Sequence, residues 1–247
     1  MDCRSLLFDA TPLSSSFGVY RNILRSRVFN LNSMQTKKVM KQELEFKTIT
    51  PSILCFGNPV AIVSSINADG SPNLAPISSF WALGWTMVLG LLCDTQTFEN
   101  FQSNQDCVVN VPSPDQWEAV ERLAPLTGKD PVPAEKSAKF RYEADKFLAA
   151  GLTPLASESV KAPRVKECPV QLEAVINQIH RLEGEPRLEK LDGGAAVEVR
   201  VIKVHVRSDF ILRENYINPE TWQPLIYNFR HYFGLGDELG KTFRADV

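Results

Sequence analysis

The stretch Asn58–Asn110 reads NPVAIVSSINADGSPNLAPISSFWALGWTMVLGLLCDTQTFENFQSNQDCVVN. Val60 to Ile66 is rich in Val and Ile and predicts a half-buried strand. Asn67-Ala68-Asp69-Gly70 supplies the turn that ends it. A small, polar, Pro-punctuated segment follows, Asn73-Leu74-Ala75-Pro76-Ile77-Ser78-Ser79-Phe80. Trp85 to Cys93 is almost wholly apolar, which predicts a strand buried on both faces. Thr97-Phe98-Glu99-Asn100-Phe101 opens a short helix, with Thr97 as its N-cap. Cys107 to Val111 is a further strand.

Beyond this frame, Ser113-Pro114-Asp115-Gln116 has the pattern of a capping box with Pro at the first helical position, and predicts a helix to about Leu123. Ala124 to Pro133 is a Pro-punctuated loop. Phe140 to Ala150 is short helix or loop, closed by Gly151. Cys168–Leu182 and Ala195–Arg207 are strands. In the second, Val197, Val199 and Val201 are apolar at odd positions, but Ile202, Val204 and Val206 at even ones. The side-chain period of a strand is two, so the phase has slipped by one residue. A β-bulge near Val201–Ile202 explains it; a strand that changes its exposed side is the alternative.

The 247 residues are 44% hydrophobic and 23% charged, which fits a packed domain and not a disordered chain. A net charge of -2 gives no electrostatic footprint for nucleic acid. The charge is uneven. Residues 1–42 hold Arg4, Arg21, Arg25, Arg27, Lys37, Lys38 and Lys41 against Asp2 and Asp9, with several serines. Such a composition fits an upstream extension or an organelle transit peptide. Residues 1–42 are therefore set apart from a domain spanning 43–247. The expected location is cytoplasmic, or mitochondrial or plastid if the leader targets the chain. Five cysteines, none in a C-x-x-C pair, argue against a zinc ribbon or a complete disulfide framework. The run Trp81–Cys93 is too short to cross a bilayer, which needs about 20 residues.

Several residues could hold a phosphorylated aromatic ligand. Ser78, Ser79 and Thr97 offer hydroxyls, and Thr97 lies at a helix start, where free N–H groups attract anions. Asn73 and Asn100 offer amides. Pro76, Phe80 and Trp81 offer apolar surface. Read one at a time, the serines are turn residues, Thr97 is a cap and Trp81 belongs to a core. His180, His205 and His231 are far apart in sequence, and no metal site is expected. His205, alone on a strand, is expected to be exposed. No G-x-S-x-G elbow supports a hydrolase. Gly234-Leu235-Gly236-Asp237-Glu238-Leu239-Gly240 does not match the dinucleotide fingerprint.

The order of these segments resembles the flavin reductase-like family of FMN-binding split β-barrels, over roughly residues 46 to 243. Asn73-x-Ala75-Pro76-x-Ser78 and Thr97-x-x-Asn100 match the family's flavin-holding segments. Val108-Val109-Asn110, Ala150-Gly151-Leu152-Thr153 and Pro163-Arg164 with Pro169-Val170-x-Leu172-Glu173 match further elements. His231-Tyr232-Phe233 stands where the family carries an aromatic motif near the flavin. The branch containing the flavin reductase component of nitrilotriacetate monooxygenase is similar. There are departures: Thr95 and Gln96 stand where a basic residue is usual, Cys168 replaces a Ser, and Gly84-Trp85 replaces a more polar stretch.

The resemblance implies a mainly β, FMN-binding split barrel with short peripheral helices. FMN would be held non-covalently by Asn73, Ala75, Pro76, Ser78, Ser79, Phe80, Trp81, Thr97, Asn100 and Tyr232. His231 would act at the substrate side, histidine being a proton or hydrogen-bond partner near neutral pH. The implied activity is NAD(P)H-dependent flavin oxidoreduction, where the cofactor carries the redox chemistry. A flavin carrier or sensor without turnover, or a flavin-dependent oxidase or oxygenase, are the alternatives. A homodimer with flavin near its interface and an oxygenase partner are also implied.

Overall fold

The computed structural model describes residues 44–242, so the expectation for residues 1–42 lies outside the described residues. From Pro51 onward the described chain forms one compact unit. Its first half runs β1 (Phe56–Pro59), β2 (Ala61–Ile66), β3 (Pro72–Ile77), β4 (Phe80–Leu83), β5 (Thr86–Leu92), α1 (Gln96–Ser103) and β6 (Asp106–Val111). A 3-10 turn at Pro114–Gln116 leads into α2 (Trp117–Leu123). Short pairings follow: β7 (Leu126–Thr127) with β8 (Arg141–Tyr142), then, after α3 (Lys146–Ala150), β9 (Pro154–Leu155) with β10 (Arg164–Val165). The long strands β11 (Val170–Leu182) and β12 (Gly194–Val206) flank α4 (Pro186–Glu189). The C-terminal arm carries β13 (Ile211–Arg213), β14 (Tyr216–Ile217), β15 (Ile226–Asn228) and β16 (His231–Phe233).

Seven strands form one sheet in the order β3-β2-β6-β11-β12-β5-β4. All neighbours in it are antiparallel. Its two edges, β3 and β4, are consecutive in the chain and joined only by Ser78 and Ser79. Two residues cannot span an open sheet of seven strands, so the sheet must curl until its edges meet. The result is a barrel split between β3 and β4. The expected mainly β split-barrel class is observed.

The interior is filled by Val63, Leu89, Phe98, Phe101, Val109 and Val197, among others. A second core lies outside the barrel, where Ile62 and Leu74 pack with Val120, Leu123, Phe147 and Leu225. β2 feeds both cores, so it is buried on both faces and not half-buried as its sequence suggested. The reverse holds for β5. Met87, Leu89 and Leu91 are buried, while the residues between them are only partly covered. The difference lies in what stands outside: Ile62 of β2 joins the second core with residues of α2 and α3, and among the described residues none of β5 belongs to it.

The phase slip in β12 is a bulge. Glu173 pairs with Lys203 and Ala174 with Val201, leaving Ile202 without an opposite residue. α1 is capped by Thr95, two residues before the expected Thr97. Thr95 has extended dihedrals and accepts the Phe98 N–H at 3.3 Å, as a cap requires. The Ser113–Gln116 pattern behaves as expected, with Ser113 N–H donating to Gln116 Oε1 at 2.9 Å. Gly151 caps α3 at φ +67°, a conformation most side chains resist.

Candidate functional site

A buried polar network lies under the start of β3. Asn73 and Thr97 are each only 2% exposed. Asn73 Nδ2 donates to Thr97 Oγ1 at 2.9 Å and, more weakly, to Ser65 Oγ at 3.4 Å. Asn100 Nδ2 donates to Ser65 Oγ and Asn67 Oδ1, both at 2.9 Å, while its Oδ1 accepts from Gln96. The Asn73 carbonyl oxygen accepts from Lys146 Nζ at 2.8 Å, and Lys146 also donates to Leu74 O at 2.9 Å. Burial lowers the Lys146 ammonium to about 8, although Glu143 opposes this. The structure thus brings Asn73, Thr97 and Asn100 together, but turns their side chains toward one another. Asn73 and Gln96 also reach a cleft of about 810 Å³ beside Gly128 and Phe147.

The other expected ligands lie farther along β3. Pro76 and Ser78 line a groove of about 570 Å³ with Phe140, Tyr227, Arg230 and Tyr232. Ala75 is a partly buried residue of β3. Ser79 Oγ donates to Gly90 O at 2.7 Å. A Cβ on Gly90 would stand 2.9 Å from that of Ser79, so the close approach there depends on glycine. Phe80 packs against the barrel interior. Trp81 is 58% exposed, contrary to the expectation of a core tryptophan, because β4 is an edge strand and its outer face is uncovered.

The C-terminal arm closes this groove. β15 pairs with both β1 and β16. Leu225 bonds back to Val60 and Pro112 through its backbone. The Tyr227 and Tyr232 rings meet at 5.8 Å between centroids, tilted by 59°. The Tyr232 hydroxyl donates to Glu121 at 3.1 Å, and burial together with that carboxylate pushes the phenol well above its usual range. On the far side, His231, Tyr232 and Arg230 line a second groove of about 560 Å³ with Trp117 and Phe233. The two grooves therefore share Arg230, Tyr232 and Glu121 as a common wall.

Sequence reasoning missed several of these groups. Lys146 comes from a short helix whose apolar pattern gave no sign that its lysine turns inward. Lys136, 8% exposed, ion-pairs with Asp94 at 2.6 Å, and Lys129 pairs with Glu99. Lys129 and Lys136 of the 128–140 loop thus stand beside α1, each paired with a carboxylate. Phe140, Tyr227 and Arg230 had no motif to mark them.

His205 is also not where its sequence placed it. Its Nε2 lies 2.8 Å from Glu173, a carboxylate with no exposed surface. Burial would raise the Glu173 carboxyl, but the Glu158 and Ser159 N–H groups and His205 together hold it below its usual value. This cluster fastens the 156–163 loop to β11 and lines none of the three grooves described above. Among the described residues, no group of His, Cys, Asp and Glu is arranged to hold a metal. No described helix is long and apolar enough to cross a membrane.

The structure is thus a split barrel with an aromatic, hydroxyl-bearing groove along one edge. The chain belongs to the flavin reductase-like family: the family model described as flavin reductase like domain matches residues 53–236. The Bacillus subtilis (strain 168) protein YdfE, itself uncharacterized, is 43% identical over 211 residues, covering 85% of this chain and 99% of its own. Two solved structures share the fold. Flavoredoxin of Desulfovibrio vulgaris (Miyazaki F) has a TM-score of 0.65 at 20% identity, over 82% of this chain and 100% of its own. Nitrilotriacetate monooxygenase component B from Bacillus cereus has a TM-score of 0.64 at 21% identity, over 80% of this chain and 100% of its own.

Proposed function

We propose that the chain binds FMN non-covalently in the groove between β3 and the C-terminal arm and works as an NAD(P)H-dependent flavin oxidoreductase. The observation that carries this is the convergence on one groove of Pro76, Ser78, Phe140, Tyr227, Tyr232 and Arg230. Its volume of about 570 Å³ is within the usual span of ligand sites, about 300–1,000 Å³. A flavin needs flat apolar walls, which Phe140 and the two tyrosines supply. Its phosphate and ribityl oxygens need hydroxyls and cations, which Ser78 and Arg230 supply. When bound, the flavin would supply two-electron acceptor chemistry.

Within this reading Asn73, Thr97 and Asn100 set the geometry beneath the site, and His231 faces the donor. Ser79 and Trp81 flank it at the split, where a second copy of the chain would complete a homodimer. Reduced flavin would then pass to an oxygenase or another acceptor. The test is the visible spectrum of the purified protein, identification of the released chromophore, and NADH and NADPH oxidation with FMN added. A flavin spectrum from FMN with donor oxidation supports the reading. Bound FMN without turnover would mark a carrier, product formation under oxygen an oxygenase, and no affinity for flavin would overturn the proposal.

A further inference from the structure

Among the described residues lining the flavin groove, only Glu121 and Arg230 carry a charge. Glu121 reaches the groove from α2. Ala119, Val120 and Leu123 of that helix turn into the second core, which leaves its charged residues on the outer side. Two of these are matched within the fold: Glu118 lies 3.9 Å from Arg122, whose Nη2 donates to Ala150 O at 2.7 Å. The partner of Glu121 is a neutral phenol, since its Oε2 accepts the Tyr232 hydroxyl at 3.1 Å. Such a bond holds the carboxylate against the ring wall without neutralising it. Burial, and then this carboxylate, push the Tyr232 phenol above its usual range, as a negative charge beside the ring does.

A charge at that place acts on the redox state of what lies against the wall. A hydride carries two electrons and one proton, so an uncharged flavin ring that accepts one ends with a negative charge. A like charge nearby disfavours the charged form and a cation favours it, the more so where the walls exclude water. Arg230 is engaged by the flavin phosphate in the reading above, which leaves Glu121 as the charge on the ring side. We propose that Glu121 sets the electron affinity of the bound flavin, its carboxylate weakening the groove's hold on reduced flavin relative to oxidised flavin. The same bias makes reduced flavin a stronger electron donor and eases its release to an acceptor, because affinity and redox state are linked. The proposal rests on the flavin reading of this groove, and it gives Tyr232 a second task, that of anchoring the carboxylate.

The test is the two-electron midpoint potential of FMN bound to the full-length protein, read spectroelectrochemically at neutral pH for wild type, Glu121→Asp, Glu121→Gln and Glu121→Lys. The affinity for oxidised FMN is titrated alongside. Glu121 is exposed, so none of these changes removes a core contact. Relative to oxidised flavin, reduced flavin is expected to be held about tenfold more tightly in Glu121→Gln than in wild type, which is about 30 mV upward for a two-electron couple. Glu121→Lys should move further in the same direction, and Glu121→Asp should stay near wild type. A residue that only anchors Tyr232 gives the opposite pattern, because Glu121→Gln keeps an acceptor for the hydroxyl and Glu121→Asp shortens the reach to it. That pattern, or a midpoint that moves in neither Glu121→Gln nor Glu121→Lys, overturns the proposal and leaves the flavin reading in place. Wild type that takes up no FMN removes the flavin reading and the proposal with it.

Discussion

Lys146 shows how a single residue can set a site and stay invisible in the sequence. Its ammonium is bound by an amide oxygen and a backbone carbonyl, 73 and 72 positions away. No local pattern encodes a contact of that separation. By accepting from Lys146, the Asn73 oxygen is fixed, so its amide nitrogen must face Thr97. Burial lowers the ammonium from 10.5 to about 8. Between those values the unfolded chain keeps a proton that the folded chain has released, so stability rises with pH across that window. The cost of burying the charge is fully present below the folded value. Stability of wild type minus that of Lys146→Met is expected to rise by at most about 3 kcal/mol from pH 8 to 10.5. Urea titrations at a series of pH values measure this, and a flat difference would show that the lysine stays charged. His231, by contrast, was marked by its aromatic neighbours, and it does line the second groove. His231→Ala should leave FMN content unchanged and slow flavin reduction by the nicotinamide donor at least about tenfold, within the span of general acid–base effects. Stopped-flow reduction of bound flavin reads this directly; a wild-type rate would leave the histidine a structural role.

At the level of elements, the strands were legible because alternation is a local signal. β12 is the clearest example. Its apolar residues change parity between Val201 and Ile202, and the structure leaves Ile202 as the extra residue. What the sequence could not show is what lies against each strand. β2 and β5 are both rich in apolar residues, and their burial was read the wrong way round, because the outer face of β2 joins β3 in a second core with α2 and α3, and no described residue of β5 belongs to that core. His205 was expected to be exposed for the same reason; the 156–163 loop covers it through Glu173. The bulge has a consequence of its own. Deleting Ile202 would force the residues on one side of it through the sheet, exchanging Val204 and Val206 with Lys203 and His205. That would carry His205 away from Glu173 and Lys203 away from Glu158, leaving the fully buried Glu173 carboxylate without its imidazole partner, at several kcal/mol. Loss of cooperative unfolding by circular dichroism is the expected result for the deletion, whereas Ile202→Ala, which keeps the phase, should still fold. A deletion variant that unfolds like wild type would show the register to be less constrained than the pairing suggests.

For the whole molecule, the split itself raises a question of cover. β4 is an edge strand, and edges with open backbone groups invite pairing unless they are blunted. This one is not blunted. Trp81 and Leu83 share its outer face and are 58% and 76% exposed; Trp85, just past the turn, is 60% exposed. Single exposed apolar residues are ordinary, but three large ones together on a sheet edge mark an interaction surface. The family resemblance implied a homodimer with flavin near its interface, and this face adjoins Ser78 and Ser79 at the split. A second copy would therefore both cover the tryptophans and wall the flavin groove. Aromatic residues at such a centre carry much of the binding energy, and a charge placed among them would have to be buried unpaired. Sedimentation velocity should find wild type as a dimer and Leu83→Glu as a monomer with its fold intact. If the flavin is held near the interface, the monomer should also bind FMN at least about tenfold more weakly, the loss of roughly one well-made contact. A wild-type monomer would remove the dimer, and a monomeric variant with full FMN affinity would place the whole site within one chain.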